Sequence, residues 1–407
     1  MQLKQAVKEI PSVMRDLYEN HVSKHFKVIA PTVLHVNVNL RCNTKCAMCN
    51  IWELKSSHEL NLEQFDKIFS DPVYCRVEYI IVAGGEPTLR NDLPEIIELM
   101  HKHMPRLKKL LIPSNVINRA SIEKQYARIA RYCAERKIRL SLGVSLDGIG
   151  ETHDKIRGVK GAFAKVMENI EFLKQLQREL PFNLGVDPTI FSMNIQEMQK
   201  LKDLANRFNM PISFQIAAVA DDYYHNADIE NVLKVSNEDR MSLAEFLKRQ
   251  VAEASLLDSL AYYYADVVEN LEGAPTRGLP CPFADQGLLL NPDGSLQYCH
   301  NSHPIGNALE KNSGELYYGQ ENLAYRDKIQ KEICPSCRMS CLFFVSLRKE
   351  VFPFLSFIVK RMLGVHRLHW RKPKRSRSLA LQPQENVVAQ SQIQTQAKES
   401  PGQRSLS

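Results

Sequence analysis

The sequence has no apolar run long enough to cross a bilayer. The stretch Val351 to Val359, "VFPFLSFIV", falls well short of the ~20 residues that a spanning helix needs. It also lacks a secretory signal: "MQLKQAVKEIPSVMRDLYENH" is charged throughout, with no apolar run before a small-residue cleavage site. A reducing, cytoplasmic setting is expected, where clustered cysteines read as metal ligands rather than disulfides. No internal repeat is visible. With 407 residues and 44% hydrophobic content, the chain is no small disulfide scaffold and suffices for a large α/β domain plus a smaller one. Acidic excess is absent too, but unevenly. The net charge is +7, while 12 Lys/Arg against 3 Glu from Arg348 onward give +9, leaving −2 for the rest. The basic excess therefore sits in "RKEVFPFLSFIVKRMLGVHRLHWRKPKRSRS", and residues 378–407, rich in Gln and Ser, read as a disordered tail.

Between residues 32 and 218, short β-branched runs alternate with helical patterns. Strands are expected from Thr32 ("TVLHVNV"), Val77, Leu107, Ile138, Phe182 and Pro211. Helices are expected near 61–70, 92–103, 120–136, 160–179 and 195–208, the last opened by Asn194 with Glu197 three residues on, a capping-box pattern. Six strands with helical crossovers predict a parallel sheet, either open and doubly wound or a partial (β/α)6 TIM-like barrel. Such folds bind ligands at the C-terminal ends of their strands. The unusual residues lie there: "RCNTKCAMC" after strand one, Gly84 to Pro87 after strand two, Pro113 to Asn115 after strand three, and Ser145 to Gly148 after strand four.

Cys42, Cys46 and Cys49 have no fourth cysteine nearby, and no proline follows Cys49. Thiolates suit zinc or iron–sulfur clusters. A structural zinc site would need a fourth ligand, for which His58 or His35 are candidates. An ordinary ferredoxin cluster wants four cysteines. Three cysteines on a cubane leave one iron free to take another ligand.

The spacing Cys42-x3-Cys46-x2-Cys49 at the end of a first strand resembles the signature of the radical S-adenosylmethionine (SAM) superfamily, and Gly84-Gly85-Glu86-Pro87 resembles its GGEP segment. The resemblance implies a [4Fe–4S] cluster on the three cysteines, with the amino and carboxylate groups of SAM on the open iron. It further implies that Gly84, Gly85 and Glu86 receive the SAM amino group, and that Ser114 and Asn115 bring polar side chains toward SAM. Ser145 and Asp147 would contact the ribose region and Arg157 the carboxylate, an arginine offering a fork to an anion; the other reading of this segment, which includes His153, is an Asp-Gly turn plus a surface arginine. Met48 occupies the position that commonly packs on adenine, whereas Trp52 could be core. The implied reaction is reductive cleavage of SAM to a 5′-deoxyadenosyl radical that takes hydrogen from a substrate, fed by a reductase, flavodoxin or ferredoxin. Gln215 and Asp187 are candidates for substrate contact.

Further on, Cys281, Cys299, Cys334, Cys337 and Cys341 resemble the twitch and SPASM extensions that carry auxiliary clusters. Five cysteines fit one auxiliary [4Fe–4S] cluster, with Cys281, Cys299, Cys334 and Cys337 preferred and Cys341 as the rival to Cys281. A zinc ribbon is the alternative. Cys75 and Cys133 are expected to be ordinary buried thiols. The resulting division is a helical extension (1–31), barrel core (32–236), helical connector (237–274), cysteine-rich domain with a hairpin at Asn291 to Gly294 (275–345), basic amphipathic segment (346–377) and disordered tail (378–407). Only some 31 residues precede the first strand, which lowers the expectation of a leader-peptide domain and favours a small molecule, sugar or lipid-linked glycan over a peptide. The segment 346–377 could lie on the inner face of a membrane or pack on the body. A function of another class remains: a zinc-stabilised binding module whose Lys372, Lys374, Arg375 and Arg377 attract phosphates, although no base reading of nucleic acid is expected.

Overall fold

Strand β1 (Val33–Asn37) is buried along its whole length, as its apolar run requires of a strand covered on both faces. The computed structural model describes Arg15 and residues 17–54, 58–274, 276–339 and 342–364. Cys341, the end of the basic segment and the 378–407 tail lie outside the described residues. Next to β1 run β2 (Tyr79–Ala83), β3 (Lys109–Ser114), β4 (Arg139–Val144) and β5 (Asn183–Val186), all parallel and in sequence order. Helices Leu62–Phe69, Leu93–His103, Arg119–Glu135 and Ala162–Glu179 connect them. The first is fixed by a complete capping box between Asn61 and Gln64, a motif that satisfies two otherwise orphaned backbone donors.

The alternation of β3 shows how the sheet builds a site. Leu110 and Ile112 are buried, whereas Lys109, Leu111 and Pro113 line a cavity on the other face. The same face of β4 offers Ser141 and Gly143, and that of β5 offers Gly185, with Asp187 just beyond it.

Four expectations need correction. The sixth strand is reduced to β7 (Gln215–Ile216), paired in parallel with β6 (Thr189–Ile190) in a separate two-stranded sheet, while a single bridge from Val186 to Ile212 continues the main one. Pro188 and Pro211 account for the break, since neither can donate to a ladder. The capping box expected at Asn194 does not form. Asn194 instead accepts from the Phe191 amide and donates to the carbonyls of Asp147 and Thr189, Glu197 accepts from the Ile149 amide, and the helix starts at Met198. Cys75 is exposed at a 3-10 turn, while Cys133 is buried as expected. Finally, the hairpin strand β8 (Gly287–Leu290) pairs in parallel with β1 and leads into β9 (Ser295–Gln297) and β10 (Gly306–Asn307). A boundary at 275 therefore cuts through one continuous eight-stranded sheet. The described residues belong to one compact unit, and none of their helices is long and apolar enough to cross a membrane.

Candidate active site

The loop after β1 carries the three cysteines, and backbone hydrogen bonds hold it to the short helix Glu151–Arg157. The amides of Lys45 and Ala47 donate to the carbonyls of Arg157 (2.9 Å) and Ile156 (2.8 Å). Gly158 permits this approach: it has φ +64°, and a Cβ there would meet the Lys45 carbonyl oxygen at 2.5 Å. Thr44 sits between two of the sulfurs, its Oγ1 lying 3.1 Å from Cys42 Sγ and 3.3 Å from Cys46 Sγ. Arg157 donates to Cys46 Sγ at 3.5 Å. Burial raises the Cys42 thiol and pushes Cys49 up to about 12, so both stay protonated near neutrality until a metal displaces the proton.

The segment after β2 lies directly on the backbone that enters the cysteine loop. Gly85 N donates to Asn39 O (3.0 Å), Glu86 N donates to Arg41 O (2.7 Å) and Asn39 Nδ2 donates to Glu86 O (3.0 Å). A Cβ on Gly84, whose φ is +135°, would meet Asn39 O at 2.2 Å, and one on Gly85 would meet Arg41 O at 2.2 Å. The two glycines thus serve chain-to-chain packing. The Glu86 carboxylate is buried and filled by donors of this chain: Thr88 N (3.1 Å), Thr88 Oγ1 (2.7 Å) and Ser114 Oγ (2.8 Å) on one oxygen, Asn115 N (2.8 Å) on the other. Burial raises its pKa against those bonds. Glu86 is the tie between the ends of β2 and β3. Asn115 Nδ2 in turn donates to Asn43 Oδ1 in the cysteine loop (2.7 Å).

Arg157 is buried between Cys46 and Asp147, whose Oδ2 lies 2.5 Å from Nη2. Asp147 is fully buried, accepts the Thr189 amide on Oδ1 (2.8 Å) and does not line the cavity. It supports Arg157 from behind instead of reaching toward a ribose, because the turn after β4 points it inward. His153, lowered to about 3 by burial and by Arg157, is neutral and accepts the Asp147 amide on Nδ1 (3.2 Å). Met48 packs with Ile156, Phe191 and Leu233.

Cys42, Cys46, Met48, Cys49, Gly84, Gly85, Glu86, Ser114, Asn115, Ser145 and Arg157 line one cavity of about 590 Å³, together with Trp52, within the range of small-molecule sites. Of the candidates for SAM contact, Asp147 alone stands outside it. The far end of the cavity holds Lys109, Asp187 and Gln215 among apolar walls that include Leu111 and Phe344. Asp187 is pushed up to about 6 by burial, against the pull of Lys109. Lys109 is lowered by burial and by Arg139, and its Nζ stands 3.9 Å from the Phe344 ring centre. Sequence reasoning missed Lys109 and Thr44. Thr44 was readable from its place between two cysteines, whereas Lys109 resembles any strand-end lysine until the register puts it inside.

Cys281, Cys299, Cys334 and Cys337 line a second, small cavity of about 30 Å³ with Arg277, His300 and Asn301. Asn301 Nδ2 donates to Cys337 Sγ (3.3 Å), and burial pushes Cys299 and Cys334 up to about 12. Among the described residues, no three Cys, His, Asp or Glu side chains converge as they would around a single ion. His58 instead reaches Gln64, and His35 reaches Asn37.

Residues 36–205 match the Radical SAM superfamily. The Fe-coproporphyrin III synthase of Methanosarcina barkeri (strain Fusaro / DSM 804) is 31% identical over 197 residues, 47% of this chain and 45% of that protein. The PqqA peptide cyclase of Ruegeria pomeroyi is 26% identical over 329 residues, 76% and 80% of the two chains. The chain spans less than half the length of the first curated relatives it matches. Among solved structures, Streptococcus suis SuiB bound to S-adenosylmethionine aligns over 80% of this chain and 73% of its own, with TM-score 0.53 and 12% identity. anSMEcpe with bound AdoMet and the Cp18Cys peptide aligns over 82% and 98%, with TM-score 0.52 and 17% identity; these likenesses speak to the fold alone. The cysteine loop and the segment laid against it both fall inside the region, residues 36–205, that matches the Radical SAM superfamily.

Proposed function

We propose that the protein cleaves SAM reductively and uses the resulting radical to take a hydrogen atom from a small polar substrate bound at the Lys109 and Asp187 end of the cavity. The observation that carries this reading is the single cavity shared by the three cysteines, the Gly84 to Glu86 segment and Arg157. A [4Fe–4S] cluster held by Cys42, Cys46 and Cys49 would supply the electron, received from a reductase, flavodoxin or ferredoxin, and SAM would take the iron that no cysteine occupies. The thiols fit such a group: they spread along a cavity wall, with Thr44 bridging two of them and a guanidinium beside the middle sulfur, that of Cys46. Arg157, held by Asp147, offers positive charge to an anionic ligand group as well as to the thiolate. Glu86 fixes Ser114 and Asn115 at the cavity wall, and the apolar surface around Leu111 and Phe344 keeps water from a radical. A small molecule suits the far end, where two oppositely charged side chains can each engage a polar group of the substrate.

Cys281, Cys299, Cys334 and Cys337 would hold a second cluster, closed by four thiolates and suited to accept an electron from a substrate radical. Two cubanes amount to about 8 irons per chain. The test is iron content and 5′-deoxyadenosine release under dithionite. Replacing Cys42, Cys46 and Cys49 together by Ala is expected to leave about half the iron and no 5′-deoxyadenosine. Full iron, or continued release, would refute the assignment.

A further inference from the structure

Helix Val351–Met362 is apolar on both sides. One side packs on the body: Phe357 is 2% exposed, its ring and that of Phe354 stand edge-on to Tyr262, and Arg361 donates to the carbonyls of Val251, Ala254 and Ser255, closing the end of helix Asn237–Glu253. The opposite side carries Phe352, Leu355, Val359, Met362 and Leu363, each between 52% and 73% exposed. At 3.6 residues per turn these five fall within an arc of roughly 100°. Two other segments extend the surface. His21 makes a ring contact with Phe352 and belongs to a helical turn that also exposes Tyr18. Leu256 and Leu257, both exposed, follow the Ser255 carbonyl that Arg361 holds. Half of the large hydrophobic side chains exposed among the described residues thus gather along one helix and its neighbours, a concentration that marks a contact surface.

The sequence around this helix selects the occupant. Residues 365–378, "VHRLHWRKPKRSRS", hold six Lys/Arg, and no acidic residue occurs between Glu350 and Glu385. A second copy of the chain would bring two such basic runs together, and the Gln/Ser-rich sequence beyond them lacks an apolar stretch to match the face. An anionic lipid surface satisfies both features, since apolar insertion and charge attraction together are what reversible interfacial binding needs. Twelve residues make a helix of about 18 Å, which can lie in an interface but not span one.

We propose that the exposed face of helix Val351–Met362, extended by Tyr18, Leu256 and Leu257, docks the enzyme reversibly on anionic membrane surfaces. Phe343 and Phe344, a short way upstream, line the cavity, so the docking face and the cavity wall belong to one stretch of chain. The proposal does not depend on which reaction the cavity performs.

The experiment is co-sedimentation of the cluster-loaded full chain with phosphatidylglycerol/phosphatidylcholine vesicles and with pure phosphatidylcholine vesicles. The native protein should pellet with the anionic vesicles at least tenfold better than with the neutral ones. The double variant Leu355→Gln/Met362→Gln, which adds no charge and alters only exposed positions, should lose at least tenfold of that binding while keeping its visible spectrum. Undiminished pelleting of the variant, equal pelleting with neutral vesicles, or no pelleting of the native chain would each overturn the proposal. So would light scattering that shows a native dimer converted to a monomer by the two substitutions, which would assign the face to a second copy.

Discussion

Replacing Arg157 by Met keeps most of the unbranched stem of the side chain but removes the group that stands between Asp147 and Cys46. Asp147 has no exposed surface and would retain the Thr189 amide as a donor to its carboxylate. Breaking a buried ion pair from one side costs about 3–5 kcal/mol because the remaining charge is uncompensated. Part of this cost is relieved by protonation. Burial already raises the Asp147 pKa and Arg157 opposes that rise, so in R157M it climbs further. A carboxyl whose folded-state pKa is raised favours folding below its unfolded pKa and loses that contribution as pH rises through the folded value. The deficit of R157M should accordingly shrink as pH falls from 7.5 toward 5.5. Adding Asp147→Asn removes the stranded charge and should restore about half of the loss. Urea unfolding of iron-free protein, followed by far-ultraviolet circular dichroism at both pH values, measures all four corners of the cycle. R157M within about 1 kcal/mol of the native protein, or a double variant less stable than R157M alone, would refute the buried-pair argument.

Gly85→Ala places a methyl group 2.2 Å from the Arg41 carbonyl, so the cysteine loop must shift; iron bound by the 42–49 site should fall severalfold, with the Cys281 set unaffected, and full retention would show the contact to be soft. Asp187→Asn should stabilise the protein at pH 7.5 but not at pH 4, because a carboxyl raised to about 6 loses folding free energy as pH rises from its unfolded value; about two units correspond to about 3 kcal/mol, an upper bound for a group facing a cavity. Calorimetry of the two proteins across that range tests it, and parallel curves would count against it. In the background lacking Cys42, Cys46 and Cys49, Cys341→Ser should keep the remaining iron–sulfur absorption and Cys281→Ser should degrade it, since Cys281 shares a cavity with Cys299, Cys334 and Cys337; the reverse pattern would exchange the two ligands.

The parallel strands and their order of ligand-bearing ends were legible because β1 to β4 announce themselves locally, by apolar runs ending in Cys, Gly-Gly, Ser-Asn and Ser-Leu-Asp-Gly. Roles inside the site were less so. Glu86 reads from its motif as a ligand contact, yet its carboxylate is filled by Thr88, Ser114 and Asn115; nothing in a local sequence shows that two of those four donors arrive from the end of the next strand. Asp147 and Arg157 both looked directed at a ligand, and only the turn geometry reveals that one stands behind the other.

The largest misreading, the boundary at 275, has a physical cause that lies in side chains far apart in sequence. Gln297 donates to the Ser302 carbonyl, which forces its Oε1 toward Asn291 Nδ2; Asn291 Oδ1 then accepts from Asn37 Nδ2, leaving Asn37 Oδ1 to accept from His35 Nε2 and from the Tyr223 hydroxyl. His35, held neutral by burial with a pKa of about 4, therefore carries its proton on Nε2 and accepts on Nδ1 from His300 Nε2 (3.0 Å). The chain of bonds orients both imidazoles without any charge. It joins β1, which leads into the first cysteine group, to the hairpin that carries Cys299, and it reaches Tyr223 at the cavity wall. A buried polar network of this kind is stable only when every member is satisfied, which ties the strand-one end and the hairpin into one cooperative element. The hairpin reads as the start of a new domain because its own residues satisfy the local signal, while its partners lie more than two hundred residues away in the first strand.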